Sequence, residues 1–256
     1  MKKYILQRLG IAVITIFVVI TVTFFLMHSI PGTPFTTGND NMTPEALAAL
    51  EANYGLDKPL WQQYLVYLTN ILHGNFGTSI TYSNRSVTDI IKTAFPVSLD
   101  LGLRALTFAA VVGILLGVGA ALHHNKKLDR FSTIIAIVGI SVPSFVLGTL
   151  MQCVFGLWFS SWIKNVFHTS WQMFPISRWE SFRYTILPTI TLGLGSIATI
   201  TRLMRSSMLD VIGQDYVKTA KSKGISNSAI IWKHEVRNAM MPVVTVLGRM
   251  VGVICT

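Results

Sequence analysis

Four long, predominantly apolar blocks contain no Asp, Glu, Lys or Arg: residues 9–39, 105–125, 131–163 and 184–201. At 1.5 Å per residue, about 20 helical residues cross a hydrocarbon core roughly 30 Å thick. In lipid the backbone must also satisfy its own hydrogen bonds, so helices are the natural solution. The blocks therefore predict four complete membrane-spanning helices. A soluble domain of similar length would interleave apolar and charged residues periodically, whereas here 51% of the 256 residues are hydrophobic, 12% are charged, and the two classes are segregated. A fifth apolar segment begins near Met241 and reaches Thr256, about 15 residues and short of a full crossing. The fold class expected is an all-α integral membrane protein, a polytopic helical bundle with four complete spans and a partial fifth.

The basic start Lys2, Lys3 and Arg8 followed by an apolar run has the outline of a secretory signal. The run exceeds a typical h-region, and His28-Ser29-Ile30-Pro31 is no small-x-small cleavage site, so residues 1–30 read as an uncleaved first span. Lys126, Lys127 and Arg130 follow the second block. Arg202, Arg205, Lys218, Lys221, Lys223, Lys233 and Arg237 follow the fourth. If spans alternate, these residues and the N-terminus share one side, and the positive-inside rule makes that side cytoplasmic. The net charge of +10 is thus a membrane-orientation signal rather than a nucleic-acid one. The opposite side receives residues 31–98, expected as a small extracellular cap with amphipathic pieces at 44–53 and 61–72. Trp158, Trp162, Trp171 and Trp179 are expected at the outer interface. Cys153 and Cys255 lack metal or disulfide-framework spacing.

Catalytic motifs are missing from the sequence. No Gly-x4-Gly-Lys-Ser/Thr string is present to wrap nucleotide phosphates, and no HExxH, GxSxG or paired CxxC occurs. The chain is expected to be neither an enzyme nor the holder of a cofactor or metal. His123-His124 reads as two polar residues ending a span rather than as a metal site, which needs several converging ligands.

The segment after the fourth block is the informative one. Asp215 is suited to N-cap a helix through Lys223, and Gly224 to stop it in the left-handed conformation. Ser226 is suited to cap a second helix, on which Ile225, Ala229, Trp232 and Val236 recur at helical spacing as one apolar stripe flanked by Lys233 and Arg237. Such a ridge either lies back on the membrane or its own bundle, or inserts into a groove on a partner. The residues by themselves leave both open. Pro143, inside the third block, predicts a kinked span with Ser141 and Ser144 satisfying the freed carbonyls. The kink is either structural packing or a hinge or lining of a translocation pathway. Asp100 and Arg104 have the i, i+4 spacing of a helical ion pair. Pro188 is expected to begin the fourth span, and Met and Phe within the spans to be packing residues.

Asp215-Tyr216-Val217-Lys218-Thr219-Ala220-Lys221-Ser222-Lys223-Gly224, followed by His234, Arg237-Asn238-Ala239 and Pro242, resembles the cytoplasmic loop of binding-protein-dependent ABC importer permeases. The resemblance is closest to the B-type subunits of the oligopeptide, dipeptide and nickel branch. It extends to Arg8-Leu9, Ile30-Pro31-Gly32, the run from Tyr54 to Pro59 with Gln63-Tyr64, the run from Gly74 to Ser79, the run from Ser141 to Phe145, and Arg205-Ser206-Ser207-Met208. Lys218 departs from the family pattern, which has Glu six residues before the Gly, and Gly248-Arg249-Met250 departs from the usual Gly-rich continuation.

The resemblance implies a six-span permease fold and a chain that is C-terminally truncated. It implies a first span at 1–30, a cap at 31–98, and a transmembrane domain at 99–256 containing a coupling loop at 205–241. Within that loop, Asp215, Tyr216, Lys218, Ala220, Gly224, Ile225, Ala229, Trp232, His234 and Arg237 would contact the ATPase. The implied partners are two cytoplasmic ABC ATPase subunits that hydrolyse ATP, a second homologous permease subunit, and an extracellular or periplasmic solute-binding protein; no nucleic acid is expected. Residence is in the cytoplasmic membrane and the substrate is a peptide, with nickel or another small solute as the alternative. A secondary carrier would want mid-membrane acidic residues, and a membrane enzyme clustered polar groups within the spans; neither pattern occurs. A non-functional truncated permease is the remaining alternative.

Overall fold

The computed structural model describes residues 2–30, 43–79, 81–82, 85–168, 174–176 and 178–254. All its described regular elements are helical, save one isolated antiparallel bridge between Thr78 and Ser86. The chain divides into two compact units, residues 1–94 and 95–256.

The first unit contains α1 (Lys2–Ser29), α2 (Pro44–Tyr54) and α3 (Leu60–Leu72). The pieces expected at 44–53 and 61–72 are both helical. Helix α1 is apolar all round and almost wholly exposed, with only Phe24 buried. That is the composition of a helix whose solvent is lipid. Phe24 is buried because α3 packs there: its ring lies 5.2 Å from that of Tyr64 and 5.4 Å from that of Tyr67. The hydroxyls of Thr21 and Tyr64 share a hydrogen bond of 2.7 Å, and His28 Nε2 lies 3.0 Å from Gln63 Oε1. Pro31-Gly32, Trp171 and Cys255 lie outside the described residues.

Helix α4 (Val87–Leu122) runs 36 residues and begins well before the position 99 expected for the transmembrane domain. Beyond it the second unit contains α5 (Lys127–Ser141), α6 (Ser144–Met151), a π-helical stretch (Gln152–Phe159), α7 (Ser160–Phe167) and α8 (Phe182–Ile212). Then follow α9 (Asp215–Ser222), α10 (Asn227–Ala229), a second π-helical stretch (Ile230–Val236) and α11 (Arg237–Ile254). Among the described residues four helices are long and apolar enough to cross a membrane: Lys2–Ser29, Val87–Leu122, Ser144–Phe167 and Phe182–Ile212. Each overlaps one of the four predicted blocks, the third only from Ser144 onward because residues 131–141 belong to α5. The fifth segment belongs to α11, which starts at Arg237, four residues before the expected Met241.

Helix α8 is the spine of the second unit. A Cβ added at Gly193 would lie 3.2 Å from Ala105 O, at Gly113 2.9 Å from Ile200, and at Gly117 2.6 Å from Met204. Partner numbers rise together, so α4 and α8 run parallel. Against α5 and α6 they fall: Asp129 meets Arg205, Gly139 faces Leu194 and Ala198, and Gly148 faces Thr191. The α5–α6 segment is therefore antiparallel to α8 and keeps its direction across the Pro143 break, the alternation that successive spans require. The core between α4, α8 and α11 holds Ala109, Ile197, Ile200, Met204, Met208, Ala239 and Val243. Met204 and Met208 are fully buried.

Two prolines depart from the sequence reading. Pro143 does not kink a continuous helix but separates two. Val142 is extended at φ −92°, ψ 121°, and Pro143 occupies the N-cap of α6 at φ −57°, ψ 138°. Proline disfavours the helical conformation of the residue before it, so the helix ends rather than bends. With the break, the Ser141 and Ser144 hydroxyls have no interior carbonyl to rescue, and among the described residues neither makes a hydrogen bond. Pro188 sits inside α8, seven residues in, rather than starting it.

Candidate functional site

The predicted loop folds as two short helices turned back on each other. Asp215 is the first residue of α9 rather than its N-cap, a place held by Gln214. There its charge still favours the helix N-terminus, and its carboxylate accepts a bond from Lys218 Nζ at 2.9 Å. Lys218, where the family pattern has Glu, is thus tied to the preceding turn, though both side chains are exposed and the pair contributes little stability. Gly224 takes φ +73°, the left-handed stop expected of it, and Ser226 holds the N-cap of α10 as read.

The apolar stripe does not form one face. Val217, Ala220 and Ile230 make a small buried core with Val211 against it, while Val236 turns into the main core. Ile225 and Trp232 stay exposed, Trp232 by 53%. Ile225 precedes the N-cap Ser226 and is outside the helix, while Trp232 and Val236 are parted by the π-helical winding of Ile230–Val236, whose i→i+5 bonding widens the turn so that residues four apart no longer stack. Tyr216, Ile225 and Trp232 are exposed on this segment, and Ala229 is half-buried. Of the other quoted motif residues, Asn238 donates from Nδ2 to Tyr216 Oη at 3.0 Å and to His234 O at 2.9 Å, stitching α9 to the start of α11. Arg237 is exposed and Ala239 is packed against α8.

A second cluster escaped the sequence reading. Asp129, 4% exposed at the first turn of α5, accepts two bonds from Arg205 on α8, at 2.6 Å to Oδ1 and 2.8 Å to Oδ2. The Asn125 N–H adds a third at 2.9 Å, and Arg205 Nη2 lies 3.0 Å from His124 Nδ1. Asp129 lies just ahead of the uncharged third block. The Arg205 hydrogen bonds, helped by the Asn125 amide, hold its carboxyl well below the usual carboxylate range against the opposing effect of burial. His124 is thus an ion-pair neighbour, and among the described residues no His, Cys, Asp or Glu cluster could hold a metal. The signal that could have found the pair is an acidic residue at a span edge followed, one span later, by an arginine at the matching depth.

Of the residues proposed to line a pathway, Ser144 borders a cleft of about 330 Å³ with Gln152, Pro188 and Thr191; Ser141 and Pro143 do not. Asp100 and Arg104 form the expected ion pair at 2.8 Å, half-exposed, and the Arg104 guanidinium stands 5.6 Å from the Phe182 ring centroid.

Residues 113–255 match the family model described as the binding-protein-dependent transport system inner membrane component, and residues 1–102 match the N-terminal model of the same membrane components. The chain is 42% identical over 256 residues to the dipeptide transport system permease protein DppB of Lactococcus lactis, covering all of this chain and 80% of the relative. It is 43% identical to DppB of Bacillus subtilis over all of this chain and 79% of that protein. It is 40% identical to the oligopeptide transport system permease protein OppB of Haemophilus influenzae, over 99% and 80%. The chain belongs to the family of binding-protein-dependent transport system inner membrane components, as a multi-pass integral membrane permease subunit.

Proposed function

We propose that the protein is the B-type permease subunit of a peptide importer in the cytoplasmic membrane. ATP is hydrolysed by two separate ATPase subunits, a second homologous permease completes the pathway, and a solute-binding protein delivers the peptide from outside. The N-terminus and the Asp215–Val236 segment lie in the cytoplasm, by the basic residues concentrated there. The substrate class rests on the two peptide-permease groups of relatives, each about 40% identical over the chain's whole length.

The observation that carries the coupling role is the exposure of the large apolar side chains Ile225 and Trp232 on a hairpin that has a buried core of its own. A self-contained hairpin is rigid enough to act as a lever, and an exposed tryptophan beside it suits a groove on a partner. Movement of the ATPases then passes through α8 and α11, to which the hairpin is packed, and the α5–α6 break at Pro143 is the natural place for the spans to yield.

Co-expression with the ATPase pair tests this reading. Trp232→Ala should leave the chain folded, within about 0.5 kcal/mol as for most surface substitutions, yet lower ATPase co-purification at least tenfold and abolish peptide-stimulated hydrolysis; Ala229→Glu should do the same. Retained, coupled ATPases in both variants would place the contact elsewhere.

A further inference from the structure

Beside the Asp129–Arg205 pair lies a cleft of about 460 Å³ lined by Asn125, Asp129, Arg130, Thr133, Ile134 and Arg205. Its charges do not cancel. Asp129 is the one acidic residue lining it, and it is already occupied twice by Arg205. Arg130 on the rim, and Lys126 and Lys127 on the adjoining turn, make no ion pair among the described residues. The cleft opens where the exposed face of α5 changes character. Before it the chain is basic; after it Phe131, Ile134 and Val138, spaced i, i+3 and i+7, are all at least half exposed and form an uninterrupted apolar track. Ile134 belongs to both cleft and track.

We propose that this cleft binds the headgroup of an anionic phospholipid, the phosphate meeting Arg130 and the flanking lysines and an acyl chain lying along Phe131, Ile134 and Val138. A basic pocket between membrane helices is a known form of headgroup site. The track enters the uncharged third block, where lipid can follow and an aqueous acidic peptide cannot. The site is at the end of the bundle that carries the Asp215–Val236 hairpin, and Arg205 links the two through α8.

The full chain in nanodiscs containing phosphatidylcholine and phosphatidylglycerol should retain phosphatidylglycerol preferentially when read by native mass spectrometry. The triple substitution Lys126→Gln, Lys127→Gln, Arg130→Gln should cut that retention by roughly fivefold per removed cation and leave phosphatidylcholine unchanged. Ile134→Ser, which keeps every cation, should lower it too. Equal retention of both lipids, or no loss in the triple variant, overturns the proposal. Stabilisation by inorganic phosphate equal to that by phosphatidylglycerol would make it a free-anion site and also overturn it, as would cross-linking of Phe131→Cys to a neighbouring protein subunit in place of lipid.

Discussion

Asp129 shows how much a single side chain can fix in a bundle of otherwise interchangeable apolar helices. Lipid tails are as apolar as Leu, so hydrophobicity gives spans little reason to prefer one register. A buried carboxylate holding one arginine with two bonds supplies a register that a slip of one residue would break. Removing one partner of such a pair leaves an uncompensated buried charge. Asp129→Asn should therefore lower stability by about 3 kcal/mol, read as a drop in melting temperature in detergent. Because the carboxyl is held below its ordinary value, its contribution is complete above about pH 4 and disappears only as pH falls through the lowered value. The wild-type-to-variant difference should thus stay constant from about pH 5 to pH 8 and shrink only under strong acid. The same comparison in a His124→Gln background removes the neighbouring imidazole, and a difference that still varied across the neutral range there would argue against an ionised Asp129.

The helices meet through small residues. Gly102, Ala105, Ala109, Gly113 and Gly117 fall on the buried face of α4, a small-xxx-small pattern that lets backbones approach closely. At Gly117 a Cβ would stand 2.6 Å from Met204 Cβ and 2.8 Å from Thr201 O. The methionine can adjust, but the backbone oxygen cannot without moving α8. Gly117→Val should cost about 1–3 kcal/mol as an overpacked core position and reduce the yield of monodisperse protein in size-exclusion chromatography. Gly213→Ala, with open space around it, should be silent in the same assay. The π-helical stretch Ile230–Val236 acts at this scale as well: it parts the packed Val236 from the exposed Trp232.

At the scale of the whole molecule, the second unit reads as an alternating bundle, with α4 parallel to α8 and the α5–α6 segment antiparallel to both. This arrangement predicts the sidedness of the connections. In a background lacking Cys153 and Cys255, Lys126→Cys and Lys221→Cys should react with an impermeant maleimide only in inverted vesicles, and Lys164→Cys only in right-side-out ones. Labelling of all three from one side would refute the alternation. The same arrangement brings the cleft at Ser144 and the hairpin to positions along one helix, α8, so movement at one is mechanically available to the other.

The sequence by itself determined the lipid environment, the four spans and the hairpin's turn at Gly224, because these depend on local properties: charge-free length, and a backbone conformation only glycine adopts easily. Its motif also sufficed for the family, since the quoted strings run along nearly the whole chain. What only the tertiary structure decided depends on residues distant in sequence. The Asp129–Arg205 pair joins positions 76 residues apart, and neither residue differs locally from an ordinary interfacial charge. Pro143 makes a helical Val142 unfavourable locally, and that this ends the helix instead of bending it is visible only in the structure, where Val142 is extended and each half packs on α8. The predicted stripe failed at Val236 and Trp232 because it assumed 3.6 residues per turn, and the winding of a helix is settled by what it packs against.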